Sequence, residues 1–307
     1  MNPNSIWSVL EDTFDLLGGY GFAAMDKAAT EMELKPGWMT WIAAIWLFDS
    51  EPITTANFMR MLPYGLTCLN EERFTSAVRQ GYLLSGGENG YTPTEAGMRA
   101  AQKVWRDAGD SLAHLNPVPE AQLRKIFDYL VQIGEASMSA SEPPPHLFIS
   151  HKRENYRRFG TVYPLERFVV LFGELAAYRD DSHIAAWQAH NIEGHAWEVL
   201  TYLWRGQTAA SADMLFEKLS YRSIPREVYV QDLRELESRN WAQEEAGEYR
   251  ITAEGKRIRE EAEALTDRYF FAPWSCSNES DLEDLMNLAI QLRDGLKRLG
   301  EKQGDLS

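Results

Sequence analysis

Apolar residues recur three to four positions apart along much of the chain, which is the spacing of amphipathic helices. In the first third of the chain this pattern predicts five helices, at residues 5–17, 21–32, 38–48, 54–62 and 69–81. A short Pro- and Gly-containing segment separates the last two and predicts a turn. A short apolar strand at 81–84, a Gly-rich polar tip and a return strand that begins at Tyr91 then predict a hairpin.

The second half of the chain repeats this order. Its five predicted helices lie at residues 165–178, 181–190, 196–204, 211–219 and 226–239. A strand at 240–243, an acidic tip and a return strand at Tyr249 follow them. When the chain is shifted by 158 residues against itself, apolar positions match better than identities do. Two copies of one fold whose surfaces have diverged would give this result.

A nine-residue motif marks the same point in both halves. Residues 91–99 and 249–257 each read Tyr-x-x-Thr-x-x-Gly-x-Arg. Where a return strand leads into a helix, the Thr oxygen is placed to cap the helix, and the Gly permits close packing against the hairpin. The residues concerned are Thr94, Gly97, Thr252 and Gly255. A structural role follows for the motif, and an accidental strand-to-helix junction is the alternative.

Helices, a helix-turn-helix and a two-stranded wing in this order are typical of the winged-helix fold. The predicted fold class is mainly α with short β wings, a tandem winged-helix protein of two repeats packed together. Repeat 1 is predicted at 1–137 and repeat 2 at 165–300. Between them, 138–164 is predicted to be a Pro-rich and basic linker, and 301–307 a tail.

Two families share these features. The helix-turn-helix, the wing and the Thr-x-x-Gly helix start of the first half resemble the MarR-type winged-helix regulators. Residues 177–297 resemble the SalK-like helix-turn-helix family, most specifically at Thr266, Asp267, Pro273 and Trp274. The resemblance implies a two-repeat, mainly helical winged-helix protein, and it implies no particular reaction.

The charge of the chain limits where DNA could bind. Lys and Arg number 31 against 46 Asp and Glu, a net charge of -15, so a nucleic acid requires a local basic patch. The charges of the two predicted recognition helices sum to 0 and -1, and the second wing is acidic. The candidate DNA contacts are Lys152, Arg153, Arg157, Arg158, Arg222, Arg226 and Tyr229. The alternative is that the basic run at 151–158 lies against the acidic surface of the two repeats.

Ten Trp residues raise the prospect of a ligand pocket, because pockets for flat organic molecules are often aromatic and lie between domains. The Trp residues on the helices expected to meet between the repeats are Trp38, Trp41, Trp46, Trp187, Trp197 and Trp204. They are the candidate binding residues for an aromatic or hydrophobic small molecule. Plain core packing is the alternative for each of them.

The sequence offers little support for metal binding or catalysis. His183 and His190 share a predicted helical face near Asp180 and Asp181, but they match no established ligand spacing, so no metal site is predicted. The two adjacent Asp side chains diverge on a helix and are poorly placed for acid–base cooperation. No catalytic residue and no cofactor is predicted, and a non-enzymatic role is favoured while activity stays open.

The remaining signals concern location. The two Cys residues, Cys68 and Cys276, follow no disulfide or metal spacing, no secretory signal is visible, and the longest apolar run, 41–48, is too short to span a bilayer. A cytoplasmic protein without a membrane partner is predicted, and its oligomeric state is open.

Three functions are consistent with the sequence. The first is a non-enzymatic, transcription-regulator-like protein that senses a small molecule between its repeats; DNA is a candidate partner, although the charges of the two helix-turn-helix segments disfavour operator binding through both. The second is a SalK-like accessory protein or enzyme of small-molecule metabolism whose winged helices no longer bind DNA. The third is a protein-interaction module.

Overall fold

The computed structural model describes residues 2–48, 51–143, 146–206 and 209–304. The first half contains the helices α1 (Pro3–Glu31), α2 (Trp38–Leu47), α3 (Thr55–Met61) and α4 (Thr67–Arg79), the strands β1 (Leu83–Ser85) and β2 (Tyr91–Pro93), and the helices α5 (Glu95–Asp110) and α6 (Glu120–Met138).

The second half begins with α7 (Leu147–Phe159). It continues with α8 (Pro164–Gln188), α9 (Gly194–Gly206), α10 (Ala212–Lys218), α11 (Arg226–Ser238), β3 (Ala242–Glu245), β4 (Glu248–Ile251), α12 (Ala253–Phe271) and α13 (Glu279–Gly304). The described residues are mainly helical, as the sequence predicted. The described part of the predicted tail, 301–304, continues α13, and 305–307 lie outside the described residues.

The first two helices predicted in each half form one long helix, so the predicted division is wrong. In α1 that division lies at the glycines of residues 18–21. Each Gly costs a helix roughly 1 kcal/mol. Here α1 packs along α5 and α13, and this burial outweighs the low helix propensity. Likewise α8 continues through Arg179 and Asp180 because it packs along α6, α7 and α12.

Both predicted hairpins form antiparallel ladders. Leu83 pairs with Pro93 and Ser85 with Tyr91 in the first, and Ala242 pairs with Ile251 in the second. Each return strand makes one further bridge to the segment before the helix-turn-helix, Tyr91 to Ile53 and Tyr249 to Ala210. The order of elements and this extra bridge are therefore the same in both halves.

The repeated motif forms the same joint twice. The hydroxyl oxygen of Thr94 accepts a 3.0 Å hydrogen bond from the Gly97 N–H, and Thr252 accepts one of 3.0 Å from Gly255. Each hydroxyl also donates to a carbonyl before the wing, 2.7 Å away in both halves. A side chain at either Gly would overlap the backbone of Tyr82 or Trp241. The predicted capping and close-packing roles are confirmed.

The described residues form two hydrophobic cores, and α8 passes through both. Its N-terminal part contributes Leu165, Phe168 and Phe172 to a core shared with α1, α2, α5, α6 and α13. Its C-terminal part contributes Ala186 and Trp187 to a smaller core with α9 to α12. One helix thus belongs to both halves of the protein.

The segment predicted to be a linker contains the helix α7, which packs against α8 and α2. Phe148 and Ile149 are buried in the first core. Their backbone N–H groups donate to the carboxylate of Asp181, at 2.8 and 3.0 Å. The linker prediction is wrong here because the charged residues of α7 obscure a short amphipathic pattern, and because the acceptor for its N-terminal N–H groups lies on another helix.

Candidate functional site

The second helix-turn-helix consists of α10, the segment 219–225 and α11. The buried side of α11 is set by Tyr229, Leu233 and Leu236, which pack into the second core. Its exposed side carries Gln231 and Arg234. Amide and guanidinium groups on an exposed recognition helix are the side chains that read base edges in the major groove.

The three candidate DNA residues of this unit make contacts within the protein. Arg226 pairs with Asp213, with an Nη2–Oδ2 distance of 3.0 Å, and Arg222 pairs with Glu198 at 2.6 Å. Tyr229 is buried. Contact of these residues with DNA remains a prediction, and it would require both ion pairs to open.

The four candidate residues of α7 do not share one exposed surface. Arg153 forms ion pairs with Glu174 and Glu135, and Arg158 donates to the carbonyl oxygen of Ile45. Lys152 is half-buried over the Phe148 ring. Arg157 is exposed beside Glu154. Their role in DNA binding is likewise still a prediction.

Two other arginines of the second unit have no anionic partner among the described residues. Arg234 is exposed on α11, and Arg250 is exposed on the wing strand β4, opposite Gln243. The sequence does not single out these two arginines, because an arginine is paired or unpaired according to carboxylates that are far away along the chain. The exposed Glu244, Glu245 and Glu248 on the same wing oppose their positive charge.

The six candidate Trp residues lie in two separate places. Trp41 stacks on Tyr82 with ring centres 4.7 Å apart, and the Trp46 indole donates to the Ala101 carbonyl at 3.2 Å. Both belong to the first core, and Trp38 packs at its edge. These contacts are ordinary core packing within the first half.

The other three lie in or beside the second core. Trp187 and Trp197 stack with their ring centres 5.7 Å apart. The Trp204 ring is covered by the guanidinium of Arg259, 4.6 Å from its centre. The first and second sets therefore do not come together, and binding of a ligand by the six residues stays an untested prediction.

An apolar pocket of about 100 Å³ does lie between the halves. Helices α1 and α5 of the first half and α8 of the second line it, with the side chains Phe14, Leu17, Met25, Trp105, Leu112 and Val170 among its walls. The exposed Phe22 stands at its edge. A flat ring against Trp105 would suit these apolar walls.

Two glycines shape this pocket. A side chain at Gly21 would meet nothing within 4 Å, so the missing Cβ leaves open space. At Gly109 a Cβ would lie 2.7 Å from a carboxylate oxygen of Glu166. Glu166 in turn accepts a hydrogen bond from the Tyr163 N–H at 3.2 Å, which caps α8. A polar cavity of about 200 Å³, which includes Arg106 and Asp110, shares the Trp105, Gly109 and Glu166 wall.

The two histidines considered for a metal, His183 and His190, and the nearby His195 point to different partners. His195 lies 2.9 Å from Asp232, His190 stacks on Trp197, and His183 bonds to Trp197 and Thr266. In the part of the chain that the structure describes, no three His, Cys, Asp or Glu side chains converge to hold a metal ion.

The adjacent aspartates diverge, as the sequence predicted. Asp181 is buried and caps α7, while Asp180 lines a charged cleft beside α9 and α12. Desolvation by the walls of this cleft, and then the neighbouring Asp181 charge, raise the pKa of the exposed Asp180 carboxyl above its ordinary value.

None of the helices in the described ranges is long and apolar enough to cross a membrane. Comparison with curated proteins found no match, and comparison with solved structures found none either. Residues 164–300 match the model of a helix-turn-helix family. This range begins at the first residue of α8 and ends within α13. Residues 164–300 are therefore a helix-turn-helix domain, a type of domain found in DNA-binding regulatory proteins.

Proposed function

We propose that the chain is a tandem winged-helix regulatory protein, similar in plan to transcription regulators, that binds DNA through its second unit. The observation that carries the proposal is the helix-turn-helix domain at 164–300, in which an exposed helix face stands beside a two-stranded wing. The equivalent joint at Thr94 and Thr252 supports a winged-helix unit in each half. A cytoplasmic location is consistent with this role.

The proposed DNA contacts are Gln231, Arg234 and Arg250. Gln231 and Arg234 lie on the exposed face of α11, where they would reach base edges, and Arg250 lies on the wing, where it would meet a phosphate. Since these two arginines have no ion pair among the described residues, their binding to DNA breaks no internal contact.

The proposal includes a small aromatic or hydrophobic ligand in the apolar pocket. This pocket lies between the halves, where a bound ligand could affect both. Among the described residues that line it, Trp105 is the one Trp, and the six predicted Trp residues lie elsewhere. The helix α8 connects the pocket to the DNA-binding unit. Val169 and Val170 line the pocket, and Trp187 on the same helix packs in the second core. A ligand that shifts α8 would change the placement of α9 to α12.

The DNA-binding part is tested by fluorescence anisotropy with a labelled duplex at several salt concentrations. We expect the wild-type protein to bind with a salt-dependent affinity, and Arg234→Gln to weaken it about tenfold. Arg257→Gln is the matched control, because Arg257 is an exposed arginine of the same domain already paired with Glu254 and Glu261. Equal losses in both variants, or no binding by the wild type at low salt, would refute a specific role for α11.

The acidic wing favours a second candidate function. Glu244, Glu245 and Glu248 would face DNA phosphates with like charge, and Arg222 and Arg226 are neutralised by internal carboxylates. In this alternative the protein is a SalK-like accessory protein or enzyme of small-molecule metabolism, and its winged helices serve as scaffold. Ligand binding without any DNA affinity would favour it.

A further inference from the structure

A further cavity, of about 220 Å³, lies where the turn before α4 meets the second half. Its walls come from α8, α9 and α12, and from the turns that precede α4 and α11. Tyr64 belongs to the first of these turns and Arg222 to the second. In contrast to the apolar pocket, this cleft is lined mainly by charged side chains.

The cleft contains more positive than negative groups. Four arginines line it, and the acidic side chains there are Asp180, Glu198 and Glu263. Glu198 forms an ion pair with Arg222 at 2.6 Å. Glu263 is shared by Arg179 at 2.9 Å and Arg259 at 2.7 Å. Burial raises the pKa of Glu263, but these two guanidinium groups outweigh it and lower the pKa to about 2. Both glutamates are thus already occupied.

Two donors in the cleft have no acceptor. The Nε–H of Arg179 is buried and lacks a hydrogen-bond partner among the described residues. Arg205 lines the cleft, is exposed, and forms no ion pair within the described ranges. A buried donor left without an acceptor costs roughly 1–3 kcal/mol. An oxyanion in the cleft would give Arg205 an acceptor, and a small shift of the Arg179 side chain, which is also paired with Glu263 and Asp267, would bring its buried Nε–H to the same anion.

Two other side chains of the cleft, Arg259 and His183, are held by contacts within the protein. Arg259 is only 1% exposed, donates to Thr201 at 3.0 Å and lies against the Trp204 ring. His183 accepts from the Trp197 indole at 3.2 Å, so its other ring nitrogen carries the proton and donates to Thr266 at 3.2 Å. This neutral His adds no charge that would compete with the arginines for an anion.

We propose that this cleft binds a small organic molecule through a phosphate or carboxylate group held by Arg179 and Arg205, with Asp180 bonding to a hydroxyl or amine of the same molecule. The Asp180 carboxyl lines the same cleft and has no hydrogen bond of its own among the described residues. The site is separate from the apolar pocket, and it does not depend on DNA binding.

The position of the cleft gives the ligand a regulatory consequence. Tyr64 and Arg222 come from the turns of different halves and line the same cleft as Arg179 and Arg205, so a molecule that fills the cleft contacts both halves. Occupancy would hold the two turns in one arrangement, whereas in an empty cleft Arg205 has no counter-ion among the described residues. The affinity of either unit for a partner would then depend on the ligand.

Isothermal titration of the full-length protein tests the site, with inorganic phosphate and benzoate as separate probes. We expect at least one probe to bind, and the preferred probe identifies the anionic group. Arg205→Gln should weaken binding about tenfold, since it removes one charge-assisted contact. Asp180→Asn should bind the anion as tightly as the wild type or more tightly, because it removes a negative charge from the cleft.

Arg257→Gln serves as the control, because it removes an exposed arginine of α12 outside the cleft. It should bind the probe like the wild type. Failure of the wild type to bind either probe at tens of millimolar would overturn the proposal. So would equal weakening by Arg205→Gln and Arg257→Gln, which would indicate an adventitious effect of net charge. Circular dichroism of each variant checks that it is folded.

Discussion

The guanidinium carbon of Arg222 lies 5.5 Å from the centre of the Tyr64 ring. Tyr64 lies in the turn before α4 in the first half, and Arg222 lies in the segment before α11 in the second half. The centre of the Tyr64 ring also lies 6.2 Å from that of Trp187, and Tyr64 packs against the second core. The turn before α4 is thus docked on the second half. A movement of either turn must be accommodated by its neighbour.

The first prediction concerns this contact at Gly194, the first residue of α9. A Cβ at this position would overlap the carbonyl oxygen of Pro63 in the first turn. Gly194→Ala should therefore force the two units apart locally and lower the free energy of unfolding by about 1–3 kcal/mol. Urea denaturation measures the loss. Gly300→Ala, in the open part of α13, is the control and should be neutral or slightly stabilising.

The second prediction concerns the repeated joint. Thr94→Ala and Thr252→Ala each remove a helix cap, and each should cost about 1 kcal/mol of stability. The two costs should be similar, because the hydrogen-bond distances at the two joints agree. Thermal unfolding of both variants gives the comparison. A loss in one variant only would show that the two joints are not equivalent in energy.

The third prediction tests the apolar pocket. In Gly21→Leu a side chain should enter the open space and block the pocket while it improves the helix propensity of α1. We expect the variant to fold and to lose binding of indole. Competition between indole and a fluorescent apolar probe measures this binding. Gly19→Leu is matched to it, since Gly19 is on the same helix, has open space and does not line the pocket. Retained indole binding in Gly21→Leu would place the ligand elsewhere.

The fourth prediction follows from His183. Burial, with help from the Arg259 charge, lowers the pKa of His183 to about 3 from 6.5. At a pH between about 3 and 6.5, His183 binds a proton more readily in the unfolded chain than in the folded chain. Stability due to the neutral His183 is therefore complete above about pH 6.5 and is lost as the pH falls, by up to about 1.4 kcal/mol per pH unit. Urea denaturation from pH 7 to 4 should show a shallower slope for His183→Gln, and an unchanged slope would contradict the assignment.

The sequence was sufficient to predict the shorter helices before each hairpin, both hairpins and the Thr94 and Thr252 caps. These features depend on local periodicity and on residues a few positions apart. It was not sufficient for α7, whose acceptor Asp181 lies on another helix. The free cations were missed for a similar reason. Arg153 and Arg222 are neutralised by glutamates 21 and 24 positions away, whereas Arg234 and Arg250 are not.

The ligand residues were harder to predict. Alignment of the chain with itself at a shift of 158 residues places α2 opposite α9, and these two helices carry most of the selected Trp residues. Such an alignment contains no information on how the two halves pack together. In the structure α8 passes between the cores, so the apolar pocket involves α1 and α5 together with α8. Trp105 and Gly21 came into the pocket through this packing, and the selected Trp residues stayed in their own cores.

Selection of bound duplexes from a random-sequence library, with the 307-residue chain at moderate salt, tests whether the helix-turn-helix domain at 164–300 reads DNA sequence. We predict that wild-type protein enriches a defined sequence motif, that Arg257→Gln enriches the same motif, and that a Gln231→Ala, Arg234→Gln double variant does not. If the wild type enriches no motif, or if the double variant enriches the same motif as the wild type, sequence-specific regulation through α11 is contradicted.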